Sequence, residues 1–188
     1  MNTRSSRLPR TADHADEECV AEDGSALRSL APTVHGSCVE LCGRGALVIG
    51  KSGAGKSSLA IELVSLGASL VGDDQVVLSE DDGIVVARAL SRTSGPKPGA
   101  IEARQIGILE APVCERVALM VVIDLDRPES SRLPRARTIL LGKTPVPLLH
   151  GQGVNGLGPA VALILRSGRL PAYGGSGDRV QAIGPAGR

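Results

Sequence analysis

Residues Gly50-Lys51-Ser52-Gly53-Ala54-Gly55-Lys56-Ser57 read G-x-x-x-x-G-K-[ST], the spacing of a phosphate-binding loop. Few motifs restrict a fold as tightly, because such a loop works only between a strand and a helix. Both flanks are present. Gly45-Ala46-Leu47-Val48-Ile49 is a short apolar run with β-branched residues, the pattern of a buried strand. After the loop, Leu59, Leu63 and Leu66 recur at helical spacing, and Gly67 stands where a helix stop belongs. Glycines let the backbone curl until successive N–H groups point at one anion, and the helix adds its positive end. A lysine at position 56 reaches the β- and γ-phosphates, and the Ser57 hydroxyl is placed to hold Mg²⁺. The whole stretch from Gly50 to Ser57 is therefore the expected nucleotide-binding element.

The chain has 188 residues, a length that favours one domain. Its single aromatic residue is Tyr173, so the core must be built from Val, Leu, Ile and Ala. Base-stacking nucleic-acid modules need aromatic platforms and are disfavoured. A formal net charge of +1 gives no field that would draw nucleic acid or membrane. Four cysteines, Cys19, Cys38, Cys42 and Cys114, lack the paired spacing of a zinc site. They read as ordinary thiols. No apolar run is long enough to span a membrane, and the polar, basic N-terminus has no secretory apolar region. A cytoplasmic, reducing location is the expectation.

Taken in order, the first 28 residues are polar and unpatterned, and read as a disordered leader. Ser37-Cys38-Val39-Glu40-Leu41 alternates like a strand, with Gly43-Arg44-Gly45 as a tight turn into the next strand. A hairpin thus leads into the loop. Past the helix, Ala68-Ser69-Leu70-Val71-Gly72 is a short strand ending at Asp73-Asp74. Val76-Val77-Leu78 and Ile84-Val85-Val86-Ala87 flank Glu80-Asp81-Asp82-Gly83, a hairpin turn signal. Residues 91–99 are a Pro- and Gly-rich loop expected to be mobile. Val117-Ala118-Leu119-Met120-Val121-Val122-Ile123 is the longest apolar run and reads as a central strand ending at Asp124. Residues 127–134 read as a loop. Thr138-Ile139-Leu140-Leu141 and Val146-Pro147-Leu148-Leu149 are short strands, the prolines placing the second near an edge. Residues 159–166 read as a short helix, and residues 174–188 as a disordered Gly-rich tail.

The loop alone says that a nucleoside triphosphate binds; the chemistry depends on the acids nearby. An Asp at the end of an apolar strand commonly holds Mg²⁺ in such proteins. Asp124 ends the best strand, and Asp73-Asp74 end a weaker one. By pattern alone Asp124 is favoured. Two adjacent carboxylates offer a division of labour, one at the metal and one taking a proton from an attacking hydroxyl. An Asp-Asp turn that merely caps the next segment is the plain alternative. His35, Glu102 and Arg104 are isolated polar residues that spacing alone does not assign.

Together these residues carry a resemblance. Val34-His35-Gly36, the loop, Leu70-Val71-Gly72-Asp73-Asp74 and Ile101-Glu102-Ala103-Arg104-Gln105-Ile106-Gly107-Ile108-Leu109 follow one another as in the catalytic domain of HPr kinase/phosphorylase. The likeness covers roughly residues 33–149. It is closest to the short alphaproteobacterial type, which lacks the separate N-terminal domain. The resemblance implies an α/β, P-loop nucleotide-binding domain with a mixed sheet, phosphoenolpyruvate-carboxykinase-like, over residues 29–173. It implies an ATP- and Mg²⁺-dependent kinase acting on a serine of the phosphocarrier protein HPr or a relative, with removal of that phosphate by phosphorolysis in many members. It ranks Asp73 and Asp74 above Asp124, with Asp74 as proton acceptor, Asp73 beside the metal, His35 as the active-site histidine and Glu102 as a Mg²⁺ ligand with Ser57. Residues 102–111 match the segment important for dephosphorylation, where Gln105 replaces a usual glycine. The arginine that long members carry near Leu149 is absent. Homo-oligomerisation is left open. Rival readings are an ATP-binding regulatory module, which would lack the acids, and a small-molecule kinase, whose closing arginines Arg88, Arg92 and Arg104 could supply.

Overall fold

The computed structural model describes residues 26–27, 33–90 and 98–173. The expected leader apart from residues 26–27, the 91–99 loop up to residue 97, and the expected tail lie outside the described residues. Along the chain run β1 (Ala26–Leu27), β2 (Thr33–Val34), β3 (Gly36–Leu41), β4 (Arg44–Ile49), α1 (Lys56–Ser65), β5 (Ser69–Gly72), β6 (Val76–Asp81) and β7 (Ile84–Ala89). They are followed by β8 (Ala100–Ala103), β9 (Gly107–Glu110), β10 (Arg116–Pro128), β11 (Thr138–Leu141), β12 (Thr144–Gln152) and α2 (Leu157–Ser167).

The apolar run around Val121 becomes β10, the trunk of a curled mixed sheet. β10 lies parallel to β4 on one side and to β12 on the other, and its first residues pair antiparallel with β7. A strand enclosed on both edges and both faces needs an unbroken apolar sequence, and residues 119–125 are all buried but none exposed. The strand does not stop at Asp124 but continues to Pro128, so the expected 127–134 loop begins later.

β3 and β4 form the expected hairpin, antiparallel from Gly36↔Ile49 to Leu41↔Arg44. Its turn is Cys42-Gly43, both at positive φ (56° and 77°), the mirror-image turn whose twist matches the strands. Arg44 and Gly45 already belong to β4, a correction of one residue to the expected turn. β5 then pairs antiparallel with β3, and the β6–β7 hairpin closes at Asp82-Gly83 as the turn signal required. β12 is an interior strand. Only its first half, which holds Pro145 and Pro147, pairs with β11 alone, and its second half registers with β10. The edge reading thus holds for the prolines and fails for the strand.

Period-two alternation buries the sheet on both faces. Val39, Val48, Val121 and Ile123 pack beneath Leu59 and Leu63 of α1 and Val161 and Leu165 of α2. Cys38, Leu47, Val122 and Leu148 face the other way, onto Val76, Val85 and Ile139. Each fully buried aliphatic side chain of this kind contributes about 1.5–3 kcal/mol, so a core without aromatics suffices. The two helices end against each other's surroundings. Arg166 of α2 donates to the Leu66 carbonyl behind α1, and Arg44 of β4 donates to the Leu165 carbonyl of α2 at 2.9 Å. Each guanidinium meets the negative end of a helix. Among the described residues no helix is long and apolar enough to cross a membrane.

A close approach of two strands lies where β4 meets β10. A Cβ on Gly45 would stand 2.7 Å from Val117 Cγ1 and 2.9 Å from the Ala118 carbonyl oxygen. β10 bulges at this point, its register with β4 shifting between Leu119 and Val121. Gly45→Ala should therefore lower stability by about 1–3 kcal/mol, the range for overpacking. A urea midpoint equal to wild type at unchanged m-value would show that the strands are not this close.

Candidate active site

Three parallel strands bring their C-terminal ends to one row, Ile49 of β4, Asp124 of β10 and His150 of β12 standing side by side. This is the end of a sheet where loops are free to hold a ligand. The loop Gly50–Ser57 leaves β4 here and enters α1. Gly50, Gly53 and Gly55 have φ of 147°, 84° and 100°, conformations that fold the backbone into a concave cradle and that side chains resist. Lys56 is 93% buried in effect, with 7% exposure. Its Nζ donates to the Gly50 and Lys51 carbonyls at 2.8 and 2.9 Å, which keeps the ammonium at the floor of the cradle. Lys51 and Ser52 are exposed at its rim.

A carboxylate braces the cradle from outside. Asp126 accepts the Lys51 N–H on both oxygens at 3.0 Å. Asp124, buried, accepts the Asp126 N–H at 2.8 Å and meets Arg127 Nε at 3.5 Å. The acid favoured by strand pattern therefore holds the corner that holds the loop. His150 is half-buried, its Nε2 buried with no hydrogen-bond partner among the described residues. Burial first, then the Arg137 guanidinium, lowers its pKa, which keeps the ring neutral near pH 7.

The twin acids after β5 lie on the other flank. Asp73 accepts the Ser57 hydroxyl at 3.0 Å on both oxygens. It also accepts the Ser37 hydroxyl of β3 on Oδ1 at 2.5 Å. Asp74 turns away with φ 71°. Its carboxylate lies 3.1 Å from His35 Nδ1, and its carbonyl oxygen lies 2.9 Å from the same nitrogen. Both partners of Nδ1 are acceptors, so Nδ1 carries the proton. The His35 and Asp74 side chains are 54% and 64% exposed, open to an incoming group.

The structure thus brings Lys56, Ser57, Asp73, Asp74 and His35 together around the end of the cradle. Glu102 sits at an exposed position of β8, between Ile101 and Ala103, which are buried. β8 packs on α1, and the β8–β9 pair forms a sheet of its own. No group of three or more His, Cys, Asp or Glu among the described residues is spaced to hold a metal; beside the loop, the Ser57 hydroxyl and the Asp73 carboxylate bring oxygen donors together at 3.0 Å. Arg104, one residue past β8, leans its guanidinium over the loop, Nη1 lying 3.8 Å from where a Gly53 Cβ would be. Ser37 and Asp126 were not legible in the sequence. Ser37 passes for a strand residue, and Asp126 lies 75 positions from the N–H it grips.

Fold and site together define an α/β domain with a curled mixed sheet and a glycine-rich, lysine-floored loop at the ends of parallel strands. The chain belongs to the family of HPr serine kinase C-terminal domains, whose model matches residues 28–125. An HPr kinase/phosphorylase of Clostridium acetobutylicum is 40% identical over 79 residues, 42% of this chain and 25% of that protein. One from Malacoplasma penetrans is 36% identical over 99 residues, 49% of this chain and 32% of that protein. The chain thus spans about a quarter to a third of the length of these curated relatives. The solved structure of the Hpr(Ser) kinase/phosphatase from Coxiella burnetii has the same fold, with a TM-score of 0.58 and 23% identity over 72% of this chain and 94% of that one.

The β8–β9 turn holds Gln105, the position where the resemblance leads one to expect glycine. Ile106 N donates to the Ala103 carbonyl at 2.9 Å, and Gln105, third in that turn, has φ 65°. Glycine adopts this conformation without steric cost, whereas an L-residue costs about 1–2 kcal/mol. Gln105→Gly should raise stability by up to about 1 kcal/mol, part of the relief being lost to unfolded-chain entropy, and β-branched Gln105→Val should lower it by at least about 1 kcal/mol. Denaturant midpoints that move in the same direction for both would disprove the turn geometry.

Proposed function

We propose that the chain is the catalytic domain of a cytoplasmic protein kinase that transfers the γ-phosphoryl group of ATP, with Mg²⁺, to a serine of the phosphocarrier protein HPr or a close relative. In this reading the loop is a true P-loop and the fold is related to that of phosphoenolpyruvate carboxykinase. The observation that carries it is the splitting of the twin acids, Asp73 onto the Ser57 hydroxyl and Asp74 out to His35.

The residues fit the groups required. Ser57 and Asp73 offer hard oxygen donors of the kind Mg²⁺ selects. The backbone cradle and the Lys56 ammonium fit a phosphate chain. When bound, Mg²⁺–ATP supplies the phosphoryl group and the neutralisation of its charge. The protein's own part is positioning and proton transfer. Backbone amides and Lys56 fix the phosphates, and Ser57 with Asp73 holds the metal side. Asp74 accepts the proton of the attacking serine hydroxyl, while His35 Nδ1–H fixes the carboxylate's direction. Glu102, the third expected metal ligand, is exposed on β8, the strand whose Ile101 packs against α1.

Run with inorganic phosphate as the attacking group, the same site would break the serine O–P bond as a new P–O bond forms pyrophosphate, Asp74 returning the proton to the serine oxygen.

The test is transfer from labelled ATP to purified HPr of the same organism. Lys56→Ala should abolish transfer. Asp74→Asn should bind ATP like wild type and lose transfer by about 10²-fold or more, the range for a general base. An Asp74→Asn variant that phosphorylates at the normal rate removes the base from the mechanism, and failure of wild type to modify any phosphocarrier removes the function.

A further inference from the structure

Ser37 is wholly buried near the start of β3, at the open end of the β3–β4 hairpin, between Gly36 and Cys38, where an apolar residue would serve the core better. A buried hydroxyl is costly unless it is hydrogen-bonded, and here the bond goes to Asp73 Oδ1 at 2.5 Å. Oδ1 also receives the Ser57 hydroxyl at 3.0 Å. That oxygen therefore accepts from two hydroxyls, one from β3 and one from the first turn of α1. Oδ2 shares only the Ser57 contact, at 3.0 Å, and keeps more of its lone-pair capacity free.

We propose that Ser37 is a positioning residue for the metal side of the site: its hydrogen bond saturates Asp73 Oδ1 and turns the carboxylate so that Oδ2 and the Ser57 oxygen are left as the free donors. This rests on the reading of Ser57 and Asp73 as the Mg²⁺ side of a nucleotide site. Ser37 itself touches neither nucleotide nor metal. Its effect runs through one carboxylate torsion, which sets it apart from a residue that merely fills the core. Without the Ser37 hydroxyl, Asp73 keeps its contact with Ser57 but can rotate about it. The metal then meets a carboxylate that must first be oriented. Nucleotide phosphates held by the loop amides and Lys56 do not feel the change.

The experiment is equilibrium binding of ADP, in Mg²⁺ and in EDTA, to the full chain and to Ser37→Ala and Ser37→Thr. Wild type should bind ADP more tightly in Mg²⁺. Ser37→Ala should lose ~10-fold of that enhancement, the equivalent of one hydrogen bond, with its affinity in EDTA unchanged. Ser37→Thr, which keeps the hydroxyl, should restore the enhancement. Should Ser37→Ala not fold, Ser37→Cys fills the space with a weak donor and should show the same selective loss. Equal loss in Mg²⁺ and EDTA, or an alanine variant with the full enhancement, overturns the role of Ser37 alone. No Mg²⁺ enhancement in wild type overturns the metal reading, and the Ser37 role with it.

Discussion

The Asp73 carboxylate, held by hydroxyls from β3 and α1, ties together three elements that are distant in the chain. Its position follows from strand order. β5 carries the acids, and it pairs not with β4, which feeds the loop, but with β3 on the far side of the hairpin. A carboxylate at the end of β5 therefore meets the start of β3, where His35 and Ser37 lie, and the first turn of α1, where Ser57 lies. Were the loop to follow the first strand of a simple parallel sheet, no hairpin partner would stand there to receive the acids. The unusual entry through β3–β4 is what places a histidine and a serine beside the cradle. The register shift between β3 and β5, at Cys38 and Val39, increases the local twist just before the acids leave the sheet.

The opposite flank is built by a different device. β10 runs past the row of strand ends and bends so that Asp126 reaches the Lys51 amide. Asp124 is fully engaged in shaping that bend. The cradle is thus gripped between carboxylates that do unlike things, one on the β10 side that accepts a loop amide and one on the β5 side that accepts the Ser57 hydroxyl. The chain after β9 returns to β5, Leu70 N donating to Pro112 O at 2.7 Å and Cys114 N to Leu70 O at 2.9 Å. The β8–β9 hairpin is tethered there to the same strand that carries the acids, and Arg104 extends from it over the loop.

Much of this was legible because it is local. The loop, its strand and helix, the β3–β4 and β6–β7 hairpins and the central apolar strand each follow from a pattern within a few residues. The turn at Cys42 was displaced by one position because Gly43-Arg44-Gly45 looks like a turn on composition, while Gly45 is needed for the approach of β10. Ile101–Leu109 gave no clear period, because its turn rests on a glutamine in a conformation that sequence reserves for glycine. The choice between Asp124 and Asp73 could not be made locally at all. Both end apolar runs of sequence, and only the identity of the neighbour, an amide in one case and Ser57 in the other, separates them. The family resemblance ranks Asp73 first, and the β3–β5 pairing is what sets that acid beside Ser57. Ser37 was hidden for the same reason, its partner lying 36 positions away.

Adjacent acids near one phosphate chain face an electrostatic difficulty, since both must stay ionised to act as donor and base. The backbone resolves it. A residue at φ 71° interrupts the extended course of the chain, and Asp is among the few side chains that enter this region at modest cost. The turn sends Asp73 inward to two hydroxyls and Asp74 outward to an imidazole, so each carboxylate is stabilised by its own hydrogen-bond donors and the two charges point apart. Gly36 N donates to the Asp74 carbonyl at 3.3 Å, and His35 Nδ1 lies against the same oxygen, so the strained peptide is held by the very strand that receives both acids. Strain kept in place by its surroundings is typical of sites that need a fixed geometry. In the proposed reaction the two carboxylates must behave differently throughout, one keeping its charge beside a metal while the other gains and loses a proton. That difference is built into the peptide between them.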